Sequence, residues 1–174
     1  MNFLKPIGCA FLFAVCTNAW GQTDRASILN EINRDVWIPF IKGVNTNQPD
    51  LYNGVNAPDF HWVRSGTTTR IMNLAEYIED AKLVMEGRVA KGIQSEIDVR
   101  FLERHVNGVF AAEKCVIRFT SREPGKEPSS SYGIVQQFLR KENGRWQKTI
   151  QYVQREPSTA EVFQQAEPLD STTN

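Results

Sequence analysis

The sequence predicts an α+β domain of N-terminal helices followed by a long-stranded antiparallel sheet, which would enclose a cone if strongly bent around those helices. Three observations carry this. Apolar residues recur at spacing four through Ser27 to Lys42, a helical period. After Gly92 the period drops to two and holds through the strands to Val153. Two Asn-Gly pairs, Asn107-Gly108 and Asn143-Gly144, interrupt the alternating runs where tight hairpin turns need positive φ. Helices first and four long strands after is the order of an α+β fold.

Each element follows from local chemistry. In Ser27 to Lys42, Ile28, Ile32, Val36 and Phe40 form a stripe with Leu29, Trp37 and Ile41 beside it, and Pro39 predicts a kink or break near Val36. Pro49 suits the first turn of a short helix ending at Asn53. Asp59 to Arg64 reads as a strand in which Phe60 and Trp62 alternate with His61 and Val63. Asn73 and Glu76 make a capping box for a helix to about Met85, with Leu74, Ile78, Ala81 and Met85 inward and a break from Gly87 to Gly92. Strands follow over Ile93 to His105, Val109 to Ser121, Ser131 to Arg140 and Arg145 to Val153. Ser158 and Glu161 open a short helix, and Ser171 to Asn174 is expected to be disordered.

The 174 residues make one domain with chain enough for a sizeable core. Twenty basic residues balance twenty acidic ones, which gives no field for nucleic acid or an anionic membrane. Met1 to Gly21 has a secretory signal's parts: Lys5, the apolar run Ile7 to Val15, and Ala19-Trp20-Gly21 as a cleavage site. The run is too short for a membrane span, and Val15 before Cys16 disfavours a lipid anchor. The expectation is an exported protein, periplasmic or extracellular, with residues 22–156 as the domain and 157–174 as a short helix and tail. Cys115 is then the only cysteine retained and reads as a buried, inert thiol.

The segments Trp37, Ala57-Pro58-Asp59-Phe60-His61-Trp62-Val63, the helix capped at Asn73 and the close Glu142-Asn143-Gly144-Arg145-Trp146 resemble the nuclear transport factor 2-like superfamily. Within it the chain is similar to exported bacterial proteins related to SnoaL-like cyclases and ketosteroid isomerase, over about residues 25 to 156. The resemblance implies a cystatin-like cone with a pocket between sheet and helices. It also implies a catalytic base at the end of the first strand, where this sequence has Arg64, which stays protonated and cannot take a proton from a carbon acid.

The site expected from this reading binds a small, largely apolar or weakly acidic ligand. Trp37, Trp62, Tyr132, Phe138 and Tyr152 are its walls, with Arg64 and Gln136 as polar anchors; filling of the core is the plain alternative for the aromatics. His61 should point away from Phe60 and Trp62, and a bulge there would make it the best general base. The enzyme alternative is a SnoaL-type cyclase, isomerase or dehydratase in which His61 or Arg64 orients an enolate. A third reading is a homodimer through the outer sheet face, for which Val135, Leu139, Thr149 and Val153 are the apolar content. His61 and His105 lack ligand-spaced partners, so no metal and no cofactor are expected. Asp98 with Arg100 and Glu103 with Arg104 read as solvated or inter-strand pairs.

Overall fold

The computed structural model describes residues 18–66 and 68–169, without the side chains of 18–23, 155 and 156. Most of the expected signal segment and the tail from Ser171 lie outside the described residues. Helix α1, Asn18–Ile32, starts upstream of the expected cleavage point and of the helix read from Ser27.

A π-helical turn, Asn33–Trp37, joins α1 to α2, Ile38–Asn45. Its wide bond runs from the Ile38 N–H to the Asn33 carbonyl. Pro39 has no N–H and its ring crowds the preceding turn, so the extra residue relieves the clash without ending the helix. The turn also aims Asn33, Val36 and Trp37 into the core. Helix α3, Pro49–Asn53, packs close against α2 at Gly43, where an added Cβ would sit 2.5 Å from the Tyr52 nitrogen.

The sheet takes β1 (Asn56–Arg64), β2 (Arg70–Asn73), β3 (Gln94–Asn107), β4 (Phe110–Arg122), β5 (Ser129–Glu142), β6 (Arg145–Pro157) and β7 (Glu167–Pro168) in the order β2-β1-β6-β5-β4-β3-β7. Strand β1 runs parallel to β6, which makes the sheet mixed. The β5–β6 turn has positive φ at both Asn143 and Gly144, as the Asn-Gly reading required. Strand β2, absent from the sequence reading, pairs with β1 through Trp62–Met72.

Helix α4, Leu74–Ala90, is opened by the Asn73–Glu76 capping box and passes straight through Gly87, correcting the expected break there. Gly87 costs helical propensity only, since nothing crowds it, and the chain turns instead at Gly92, where φ is +65°. Of its apolar residues, Tyr77 is buried while Ile78 is exposed. Helix α5, Ala160–Gln165, lays Phe163 on the outer face of the sheet against Val116 and Tyr132.

The main core joins Ile32, Val36, Trp37 and Phe40 to Val99, Phe101, Cys115, Val135, Leu139 and Trp146. Full burial of each aliphatic side chain is worth about 1.5–3 kcal/mol. Glu31 accepts from both the Trp146 indole (3.1 Å) and Lys141 (2.6 Å), so α1 is pinned to the β5–β6 hairpin. These bonds hold the Glu31 carboxyl below the usual carboxylate range.

Candidate functional site

A cleft of about 370 Å³ opens between α4 with β2 and the concave side of the sheet. One wall is an aromatic file. Phe40 stacks on Tyr52 at 5.0 Å, Tyr52 on Tyr77 at 5.8 Å, and Trp62 lies 6.3 Å from Tyr77. The Tyr52 and Tyr77 hydroxyls hydrogen-bond to each other, and burial pushes both pKa values up, so both stay neutral. Ile97, Ile117 and Phe119 form the facing wall, and Gln151 is a polar group set into the lining.

The mouth is cationic. Among the described residues Arg64, Arg70 and Arg88 line it against one carboxylate, Asp80, which Arg70 holds at 2.8 Å. The Arg88 guanidinium lies 4.7 Å over the Phe119 ring. Desolvation lowers the Arg88 pKa, but a guanidinium remains charged at any physiological pH.

A polar row crosses the concave face from the cleft into the core. In register order it runs Trp62, Gln151, Gln137, Glu113, Arg104, one residue from each of β1, β6, β5, β4 and β3. Its far end is an ion pair. Arg104 meets Glu113 at 2.6 Å with side chains 6% and 0% exposed, Trp37 Nε1 donates to Glu113 at 2.7 Å, and Arg104 donates to Asn33 Oδ1. Burial raises the Glu113 pKa, and Arg104 and Trp37 oppose that rise.

Its near end contains a buried amine. Lys148 is 0% exposed; its Nζ lies 4.1 Å from the Phe40 ring centre and donates to Gln151 Oε1 at 3.1 Å. Gln137 Nε2 donates to the same oxygen at 3.4 Å. Desolvation pushes the Lys148 pKa down to about 7. Cys115, buried nearby, has its thiol pKa pushed up by burial and stays protonated.

Of the residues expected from sequence, Trp62 and Arg64 line the cleft. Trp37 is in the core on Glu113 and does not reach the cleft lining. Tyr132, Gln136, Phe138 and Tyr152 lie on the opposite, convex face, which corrects the expected walls and the Gln136 anchor. Strand β5 turns Val135, Gln137 and Leu139 inward, so its aromatic side faces out, where Phe163 covers Tyr132 at 5.6 Å. In β6 a bulge at Thr149 separates the inward pair Trp146 and Lys148 from the inward Gln151, leaving Ile150 and Tyr152 outside.

The same facing corrects the proposed dimer residues: Val135 and Leu139 are buried, Val153 packs on the core, and Thr149 donates to the Phe138 carbonyl. His61 is exposed with Nδ1 3.0 Å from the Asp59 carbonyl, on the side away from Phe60 and Trp62. A bulge at Leu102 turns Arg104 inward, so it is no solvated partner of Glu103. Asp98 pairs across strands with Arg118 at 3.0 Å.

The sequence reading missed Lys148, Gln151, Tyr52, Tyr77 and Arg88. Lys148 had a visible signal, since it stands two residues from Trp146 and shares its face.

No family model matches the sequence, and no curated protein does. Solved structures do match in fold. An NTF2-like protein with a cystatin-like fold from Novosphingobium aromaticivorans superposes with a TM-score of 0.60 at 12% identity, covering 84% of this chain and 95% of that one. A ketosteroid isomerase-like protein from Erwinia carotovora atroseptica gives 0.56 at 13%, over 75% and 96%. A hexachlorocyclohexane dehydrochlorinase, LinA type 2, gives 0.60 at 12%, over 80% and 94%. The chain therefore shares the cystatin-like fold of these NTF2-like structures. At these identities the likeness extends to the fold alone.

Proposed function

We propose that the chain binds a small organic acid with an aromatic or similarly flat apolar body, seated in the cleft between α4 and the sheet. The observation that carries this is the charge of an otherwise aromatic cavity: among the described residues Arg64, Arg70 and Arg88 stand against Asp80 alone, and Asp80 is already engaged by Arg70. Aromatic walls favour a flat apolar body, and guanidinium groups favour a carboxylate or enolate oxygen. The SnoaL-type enzyme alternative needs a free base facing the ligand. Asp80 is ion-paired and His61 lies on the other face, so binding is the better reading. Export rests on the Met1 to Gly21 pattern and is part of the same proposal.

A second reading concerns assembly. Phe138 and Ile150 are register partners on the convex face, 46% and 40% exposed, and Phe110 near them is 60% exposed. A second copy covering this patch would bury aromatic area of the kind that drives homodimers.

The test uses two fluorescent probes that differ by one sulfonate, anilinonaphthalene sulfonate and neutral phenylnaphthylamine. Both should bind with one-to-one stoichiometry. Trp62→Ala should weaken both about fivefold through lost aromatic contact. Arg64→Ala should weaken the sulfonate alone, about threefold for a pair at the rim. Failure of either dye to bind, or affinities untouched by Trp62→Ala, would overturn the reading.

A further inference from the structure

The buried Lys148 stands directly behind the cleft lining, its amine hydrogen-bonded to a residue that forms that lining. Its only hydrogen-bond acceptor among the described residues is Gln151 Oε1. That oxygen also accepts from Gln137, so both of its lone pairs are used and the orientation of the carboxamide is fixed. Gln151 is 6% exposed and lines the cleft. Its Nε2 has no partner among the described residues and is the amide donor left for a ligand oxygen.

Among the described residues the surroundings provide for a charge without supplying a counter-ion. An ammonium needs three acceptors, and two buried carbonyl oxygens in this layer are unpartnered: Asn56 Oδ1, on the residue opposite Lys148, and Gln137 Oε1, on the residue opposite Gln151. The Phe40 and Phe60 rings offer their faces at 4.1 and 5.7 Å. The titratable groups facing Lys148 are the Cys115 thiol from β4 and, around the cleft, Tyr52 from α3 and Tyr77, Asp80 and Arg88 from α4. Arg64 and Arg70 stand farther out, and the Arg104–Glu113 pair lies beyond Gln137. The carboxylates among them, Asp80 and Glu113, are each held by an arginine.

We propose that Lys148 is a proton-linked positioning residue: an anionic ligand that accepts from Gln151 Nε2 draws a proton onto Lys148, whose ammonium donates to Gln151 Oε1 and answers the ligand's charge. The proton comes from solvent, and no covalent bond forms. This rests on the cleft being the binding site. Desolvation has already brought the amine to the edge of ionisation near neutral pH, so a single nearby negative charge suffices to complete it. The ligand class follows: a carboxylate, sulfonate or enolate should bind more tightly at lower pH, and a neutral isostere should be indifferent.

The sulfonate probe stays ionised throughout, so its pH dependence reports the protein. Between about pH 6 and pH 9 its affinity should fall roughly tenfold, while that of phenylnaphthylamine stays level. Calorimetry in buffers of different ionisation enthalpy should show proton uptake near pH 8 with the sulfonate and none with the neutral dye. Lys148→Met, close in length, should abolish the uptake and flatten the profile at the weak, high-pH level, and binding of the neutral dye should remain independent of pH. His61→Gln and His105→Gln, on exposed positions of the convex face, should leave the uptake in place. Zero uptake by the wild-type protein with the sulfonate bound would overturn the proposal without any variant. So would an unchanged pH profile in Lys148→Met. Either result leaves dye binding and its Trp62 dependence standing, whereas failure of the cleft reading removes those first.

Discussion

Trp62 and Gln151 are register partners across the parallel β1–β6 pair, and both side chains line the cleft. This pairing joins the aromatic wall to the polar row that continues through Gln137 to Glu113 and Arg104. The cleft and the core are thus one continuous inner face. Changes deep in the row should be felt as stability, and changes at its mouth as binding.

At the deep end, Glu113→Gln should destabilise the protein by about 3–5 kcal/mol, because it leaves the Arg104 guanidinium buried without a counter-charge. Urea denaturation measures this directly. Arg104→Met combined with Glu113→Leu should recover part of the loss, since an apolar pair removes both desolvation penalties but leaves the Trp37 N–H and Asn33 Oδ1 without these partners. A double variant no better than Glu113→Gln alone would contradict this account.

Lys148 predicts a pH dependence of stability with a definite sign. Its folded-state pKa of about 7 lies below the ordinary lysine value, so between the two the unfolded chain binds the extra proton. Stability from this group therefore rises as pH increases from about 7 toward 10, and at lower pH the folded state carries the full cost of a buried ammonium. Lys148→Met should melt higher than wild type at neutral pH and lose that rise. Thermal melts across the range provide the check.

Gly43 sets the position of Tyr52. A methyl group there would meet Tyr52 backbone at 2.5 Å, so Gly43→Ala must push α3 away from α2. A cost of about 1–3 kcal/mol is expected, with weaker binding of both dyes because the Phe40–Tyr52–Tyr77 file is displaced. Gly87→Ala, in open space on α4, should instead stabilise slightly.

The convex face predicts self-association. Phe138→Glu should shift sedimentation from dimer to monomer and remove the dependence of the melting temperature on protein concentration, while the half-exposed position keeps the monomer folded. A monomeric wild-type protein would remove the dimer reading while leaving the cleft untouched.

Local chemistry made much of the fold legible. The Asn73 capping box, the Asn143-Gly144 turn and the disturbance before Pro39 are encoded within a few residues, and the structure has each of them. The facing of β5 and β6 was not legible. Period-two alternation defines two faces without saying which is inside, and aromatic content pointed to the wrong one, because α5 covers Tyr132 from outside. Bulges at Leu102 and Thr149 then reversed the parity of Arg104 and of Tyr152 midway along their strands. Trp62 and Arg64 were placed at the cleft because β1 keeps its alternation to its end. Tyr77 was hidden by its neighbours, since Ile78 is the more apolar residue and only packing against Phe60 decides between them.

The most direct measurement is the location of the bound sulfonate probe by amide chemical-shift mapping of the full-length chain. Binding in the cleft predicts perturbations concentrated at Trp62, Arg64, Arg88 and Gln151, extending to Lys148. Perturbations confined to Phe110, Phe138 and Ile150, with the cleft silent, would mean that the dye senses only the convex apolar patch and would contradict the account.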